Sequence, residues 1–215
     1  MMKRQLITAL TMGVVCLWLG NMSMADTVTI YPTNDAYVDS EGPNNNHNDN
    51  YLHVQFDYWD KVKRSYLMFD LSAVPSGQKI NSALLRISTT SVNYDPTVGV
   101  YYLYNDDWSE STITWNNAPT TFNPSPTDTQ LIDHSGVFYW SVTSNVSHAY
   151  SNDGIYSLVM KRTSETSEGY MMFPSKDYSI PSSRPYLMIE YQPIPEPATL
   201  LLIGLGGLIL RKRWS

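Results

Sequence analysis

Along much of the chain, apolar and polar positions trade places every second residue. Leu52, Val54 and Phe56 alternate with His53 and Gln55, and Leu67, Phe69 and Leu71 alternate with Tyr66, Met68 and Asp70. Ala83, Leu85 and Ile87 share one face opposite Arg86 and Ser88. Val98, Val100, Tyr102 and Tyr104 repeat the period, as do Leu187, Ile189 and Tyr191 near the end. A period of two predicts strands with one buried face. Turn chemistry separates them, at Glu41 to Asn46, Pro75-Ser76-Gly77, Asn93-Tyr94-Asp95-Pro96 and Pro119 to Pro126. Many short strands joined by such turns predict an all-β sandwich or barrel. Thr112 to Trp115 reads as a further strand, and Asp70 is placed to cap the Ser72 to Gly77 turn. One stretch has helical spacing: Val146, Ala149 and Tyr150 fall at i, i+3 and i+4, with Thr143 or Ser144 as the cap.

Both ends depart from this pattern. Lys3 and Arg4 precede an apolar run from Leu6 to Gly20, followed by Asn21 to Ala25. That order is a secretory leader, with signal peptidase expected to cut after Ala25. At the other end Ala198 to Leu210 is apolar between Pro195-Glu196-Pro197 and Arg211-Lys212-Arg213. Such a run would be about 20 Å long as a helix, short of a bilayer core of about 30 Å. It is marginal as a permanent transmembrane helix and better suited to processing. Basic clusters stay on the cytoplasmic side, so the chain between them is held outside, tethered at both ends until cleavage. Pro195 and Pro197 interrupt any helix rising from the membrane and leave Glu196 in extended chain.

Ile194 to Ser215, joined to a leader, resembles the PEP-CTERM sorting signal of Gram-negative bacteria. The resemblance implies an exosortase, a membrane-embedded cysteine protease that recognises the tripeptide and removes the tail. It implies a place on the cell surface or in the extracellular matrix, beside exopolysaccharide production. The chain thus divides into a signal peptide at 1–25, a domain at 26–192 and a sorting signal at 193–215.

Composition narrows what the domain can do. The five cations Lys3, Arg4, Arg211, Lys212 and Arg213 lie outside it, so nine Lys and Arg face nineteen Asp and Glu, a balance of −10. Nucleic acid is excluded as a partner, because phosphate binding needs a basic footprint. The single cysteine, Cys16, lies in the leader, so the domain has no disulfide and no thiolate metal site. A monomer is expected.

A second resemblance runs from Thr27 to Tyr191. It is carried by Asn34-Asp35-Ala36-Tyr37-Val38, Arg64 to Ser72, Ile80 to Leu85, Asp107-Trp108-Ser109-Glu110-Ser111-Thr112-Ile113-Thr114-Trp115-Asn116 and Arg184-Pro185-Tyr186-Leu187. These stretches resemble the DNRLRE domain, classed with carbohydrate-binding module family 96. The resemblance implies a jelly-roll-like β-sandwich that binds extracellular carbohydrate. Such modules often sit beside polysaccharide-degrading domains, and this chain leaves no room for one.

Sugar binding calls for exposed aromatic rings and planar polar groups. Tyr58 and Trp59 lie in a polar stretch with Asp57, Asp60, Lys61 and Lys63, which argues against burial. Tyr170, Tyr178, Lys176, Lys161 and Arg162 are further candidates, and Lys61, Lys63 and Lys161 would meet the carboxylates of a uronic-acid glycan. Trp108 and Trp115 read as core, with Asp107, Ser109 and Glu110 holding a turn. Asp35 and Asp39, with the Asn44 to Asn50 run, offer hard oxygens for a structural calcium ion, and no other cofactor is expected. His47, His53, His134 and His148 have no catalytic companion at short spacing. The reading is a non-enzymatic glycan binder. A structural or adhesive matrix protein is the alternative, and a polysaccharide lyase or hydrolase a weaker one.

Overall fold

The computed structural model describes residues 24–194. The leader up to residue 23 and the tripeptide Pro195-Glu196-Pro197 lie outside the described residues. Asp26–Tyr191 forms one compact body.

Twelve strands build it: β1 (Asp26–Ile30), β2 (Asn34–Asp39), β3 (Tyr51–Phe56), β4 (Val62–Asp70), β5 (Gln78–Ser88), β6 (Ser91–Asn93), β7 (Thr97–Tyr102), β8 (Asp128–Leu131), β9 (Val137–Ser141), β10 (Ile155–Arg162), β11 (Gly169–Pro174) and β12 (Tyr186–Pro193). One helix, α1 (Thr143–Ser151), packs against β5 and β10. The four-stranded sheet runs β1-β12-β5-β9. The larger sheet runs β6-β11-β3-β4-β10-β7-β8, with β2 also on β4. The fold is an all-β sandwich of antiparallel sheets, as the alternation requires.

The pleat sorts the residues. Leu52, Val54, Leu85, Ile87, Leu187 and Ile189 all point into one core around the fully buried Trp140. Each such side chain removed from water stabilises the body by about 1.5–3 kcal/mol. Trp140 Nε1 donates to the carbonyl of Val98 at 3.0 Å, so its one polar atom is satisfied in the core.

Several expectations change. β4 is buried on both faces, because Tyr66 belongs to a second cluster with Ala36, Val38, Leu103, Ile113 and Val159. The chain from Leu103 to Phe122 covers that face, and Trp108 and Trp115 pack onto it from the edge. The expected strand at Thr112 to Trp115 is a run of turns within this cover. β10 has no alternation to read, since it lies between β4 and β7 and feeds both clusters. β7 ends at Tyr102, which leaves Tyr104 outside. β4 ends at Asp70, whose carboxylate accepts from Ser72 N at 2.8 Å and caps the turn as expected. The helix matches its expected place, but neither Thr143 nor Ser144 caps it. Thr143 Oγ1 instead accepts from Ala83 N at 2.9 Å and ties α1 to β5.

Because the core is internal to this body, residues 26–192 produced alone should give a strand-dominated circular dichroism spectrum and one cooperative melt. A helix-dominated spectrum would contradict the fold.

Candidate carbohydrate site

Two tight turns flank β11. The first joins β3 to β4. Asp57 Oδ1 accepts from the backbone N–H of Trp59 at 3.0 Å and of Lys61 at 3.1 Å. Asp60 closes the turn in the left-handed region, at φ 55°. Tyr58 and Trp59 are thereby held 80% and 77% exposed, where their acidic and basic neighbours placed them. The second turn joins β6 to β7 through Tyr94 and Asp95, at φ 57° and 40°. β6 pairs with β11, and β7 with β10 and β8, so this turn links strands that are not neighbours in the sheet. Without glycine, each left-handed residue costs about 1–2 kcal/mol. Tyr94 is 64% exposed there. The Asn93 to Pro96 turn was visible in the sequence; that its tyrosine is a displayed ring was not.

Between the turns the strand register sets polar groups in one row. β4 pairs Lys63 with Gln55, β3 pairs Gln55 with Tyr170, and β11 pairs Tyr170 with Asn93. A groove of ≈ 220 Å³ opens at this end, lined by Gln55, Asp57, Asn93, Tyr94, Glu168 and Tyr170 among others. It combines aromatic rings with amide and carboxylate acceptors. A larger depression of ≈ 470 Å³ lies near Asp70 and Tyr150, whose hydroxyl donates to Pro75 O and accepts from Gln78 N.

The expected cations are engaged elsewhere. Lys61 pairs with Glu41 at 2.6 Å while lying over the Trp59 ring at 5.7 Å. Lys63 pairs with Asp39 at 3.4 Å and lies over Tyr37. Lys161 folds onto Tyr101 at 4.8 Å, and burial lowers its pKa. Arg162 is buried and bound to Ser167, because a hydrogen in place of a side chain at Gly169 makes room for its guanidinium. Arg162 is therefore structural. Tyr178 is half-buried against Tyr51, hydroxyl to hydroxyl at 3.1 Å.

Two of the scattered histidines do meet. His47 stacks on Tyr37 at 4.3 Å and His53 meets the same ring edge-on at 4.6 Å. Burial, with Lys63 nearby, pushes His53 down to about 4, so it is neutral at pH 7.

The most conspicuous motif residues build a latch away from the groove. Glu110 accepts from Asp35 N at 3.0 Å and from Lys176 Nζ at 3.0 Å. Lys176 Nζ also reaches Asp177 at 2.8 Å, and its backbone N–H donates to Asp35 Oδ2 at 2.6 Å. Asp35 is fully buried and its Oδ1 has no partner. Burial raises Asp35 to about 7, against the pull of Lys176. The structure separates the two expected calcium carboxylates: Asp39 goes to Lys63, and Asp35 gathers with Glu110 and Asp177 within 4.8 Å. Lys176 already supplies a cation there, and its ammonium is held by Glu110 and Asp177.

Comparison with known proteins agrees with this architecture. The model of carbohydrate-binding module family 96 matches residues 26–191, and that of the PEP-CTERM protein-sorting motif matches residues 193–213. A gellan lyase from Bacillus sp is 28% identical over 116 residues, which is 53% of this chain and 5% of that protein. The chain thus spans a small fraction of that relative.

Proposed function

We propose, since the chain belongs to carbohydrate-binding module family 96, that its sandwich holds an extracellular polysaccharide in the groove between the Trp59 and Tyr94 turns. One observation carries the reading: a polar groove is lined by the exposed Tyr94 and by Asp57, the base of the turn that displays Trp59. Sugar rings stack their CH faces on Trp59 and Tyr94 and bury apolar area. Gln55, Asp57, Asn93 and Glu168 accept from or donate to hydroxyls as their chemistry allows. With Lys61 and Lys63 already paired to acids, the groove suits uncharged rings.

The sorting motif indicates export and processing by an exosortase, so the module meets its glycan outside the cytoplasm. The surface form should begin near Asp26 and end near the tripeptide, as read by intact mass. Trp214 and Ser215 recovered on surface protein would contradict this processing.

The binding reading is tested by affinity electrophoresis through gels containing the producing strain's own exopolysaccharide. Trp59→Ala and Tyr94→Ala should each weaken retention roughly tenfold, the worth of one lost stacking contact. The melting temperature of Trp59→Ala should stay nearly unchanged, since an exposed ring adds little to folding. Unretarded wild-type protein would instead favour a structural or adhesive matrix role.

A further inference from the structure

The outer face of the four-stranded sheet carries a second row of rings. β1 pairs Ile30 with Leu187 of β12, which brings Tyr31 beside Tyr186. Their rings meet edge to face at 6.0 Å. Arg86 of β5 lays its guanidinium over Tyr186 at 5.2 Å, and β5 pairs Arg86 with Tyr139 of β9. Tyr31, Tyr186, Arg86 and Tyr139 therefore cross the sheet in one line. At the usual strand spacing the line is about 14 Å long, enough for more than one sugar ring. Tyr31 and Tyr139 are 50% and 45% exposed. The pleat fixes this orientation, because Leu85, Ile87, Trp140 and Leu187 alternate with the row and fill the core.

Arg86 is held differently from the domain's paired cations. Its Nη1 donates to the carbonyls of Ser182 at 2.9 Å and Arg184 at 3.4 Å. Among the described residues no carboxylate pairs with it, whereas Lys61, Lys63, Arg64 and Lys176 each have one. Nε and Nη2 remain as donors. In a domain with nineteen acids and nine bases, a guanidinium steadied by carbonyls and a tyrosine is set up to take an anion from outside. Its planar fork matches a carboxylate with two parallel hydrogen bonds, and its rigidity lowers the ordering cost.

The geometry points to this row as a second glycan strip, one that binds a carboxylate-bearing polysaccharide. Arg86 holds the carboxylate through Nε and Nη2 while adjoining rings stack on Tyr31, Tyr186 and Tyr139. The inference rests on the glycan-binding reading of the domain. It moves acidic-sugar recognition from Lys61, Lys63 and Lys161 to a different sheet. A module with one groove and one strip on separate sheets joins two chains, which makes it a cross-linker of a polysaccharide matrix.

The test uses the full chain in mild detergent, run through gels containing polygalacturonate or the same polymer with its carboxyls reduced to alcohols. Arg86→Gln should weaken retention by polygalacturonate about tenfold and leave retention by the reduced polymer unchanged. Tyr139→Ala, which removes an exposed ring with no side-chain hydrogen bond, should weaken both. If Arg86→Gln also loosens the Ser182 turn and lowers the melting temperature, Tyr139→Ala decides. Wild-type retention of both variants by polygalacturonate overturns the strip. Loss with Arg86→Gln on polygalacturonate sustains the strip whatever the groove does; no loss with Trp59→Ala or Tyr94→Ala on the producing strain's own exopolysaccharide overturns the groove alone.

Discussion

Replacing Lys176 with methionine should lower stability by about 3 kcal/mol, the scale for breaking a mostly buried ion pair from one side. The side chain is 18% exposed, which sets the effect at the lower end of that range. Its burial works against the charge, and contacts with Asp177 and Glu110 overcome this and raise its pKa. Methionine keeps the stem's packing and removes only the ammonium. Glu110 and Asp35 are then left in low dielectric without a cation, at the point where the Leu103 to Phe122 cover is fastened to β2. Urea denaturation reads the change. A loss below about 0.5 kcal/mol would mean that the latch acts as an exposed surface pair.

The second large effect is a pH dependence traceable to Asp35. Its folded pKa is about 7, against an ordinary 3.8. An acid whose folded pKa is raised binds its proton more tightly in the folded state. Its contribution is fully present below about pH 4 and is lost as pH rises through 7. The span corresponds to an amount on the order of 4 kcal/mol. Other carboxylates titrate in the same window, so the comparison must be with Asp35→Asn. The amide keeps an acceptor for the Lys176 N–H and has no charge to bury. From pH 5 to pH 8 the variant should gain on the native protein by about 2 kcal/mol or more in urea titrations. A constant difference across that interval would show that Lys176 holds Asp35 ionised throughout.

Both effects arise in residues that the sequence reading placed elsewhere, Lys176 among the sugar contacts and Asp35 at a calcium ion. Asn34-Asp35 and Trp108-x-Glu110 are the most recognisable stretches of the chain. Their side chains nevertheless meet each other and Lys176, while the displayed rings belong to turns of unremarkable sequence.

The sequence by itself determined the strand class, the helix at α1, the Asp70 cap and the exposure of Trp59. Each depends on interactions within a few residues: a period of two, a period of 3.6, a carboxylate two positions from an N–H, charged neighbours around one indole. Only the tertiary structure decided which cations were free. Lys61 and Lys63 differ from Arg86 through partners twenty or more residues away, Glu41 and Asp39 for the lysines and the Ser182 and Arg184 carbonyls for Arg86. It also decided that β4 and β10 are buried on both faces, because a loop folded back from residues 103–122 covers them. The rows Gln55–Tyr170–Asn93 and Tyr31–Tyr186–Arg86–Tyr139 are products of strand register. Register couples residues far apart in the chain, and a one-residue slip would send every ring to the opposite face.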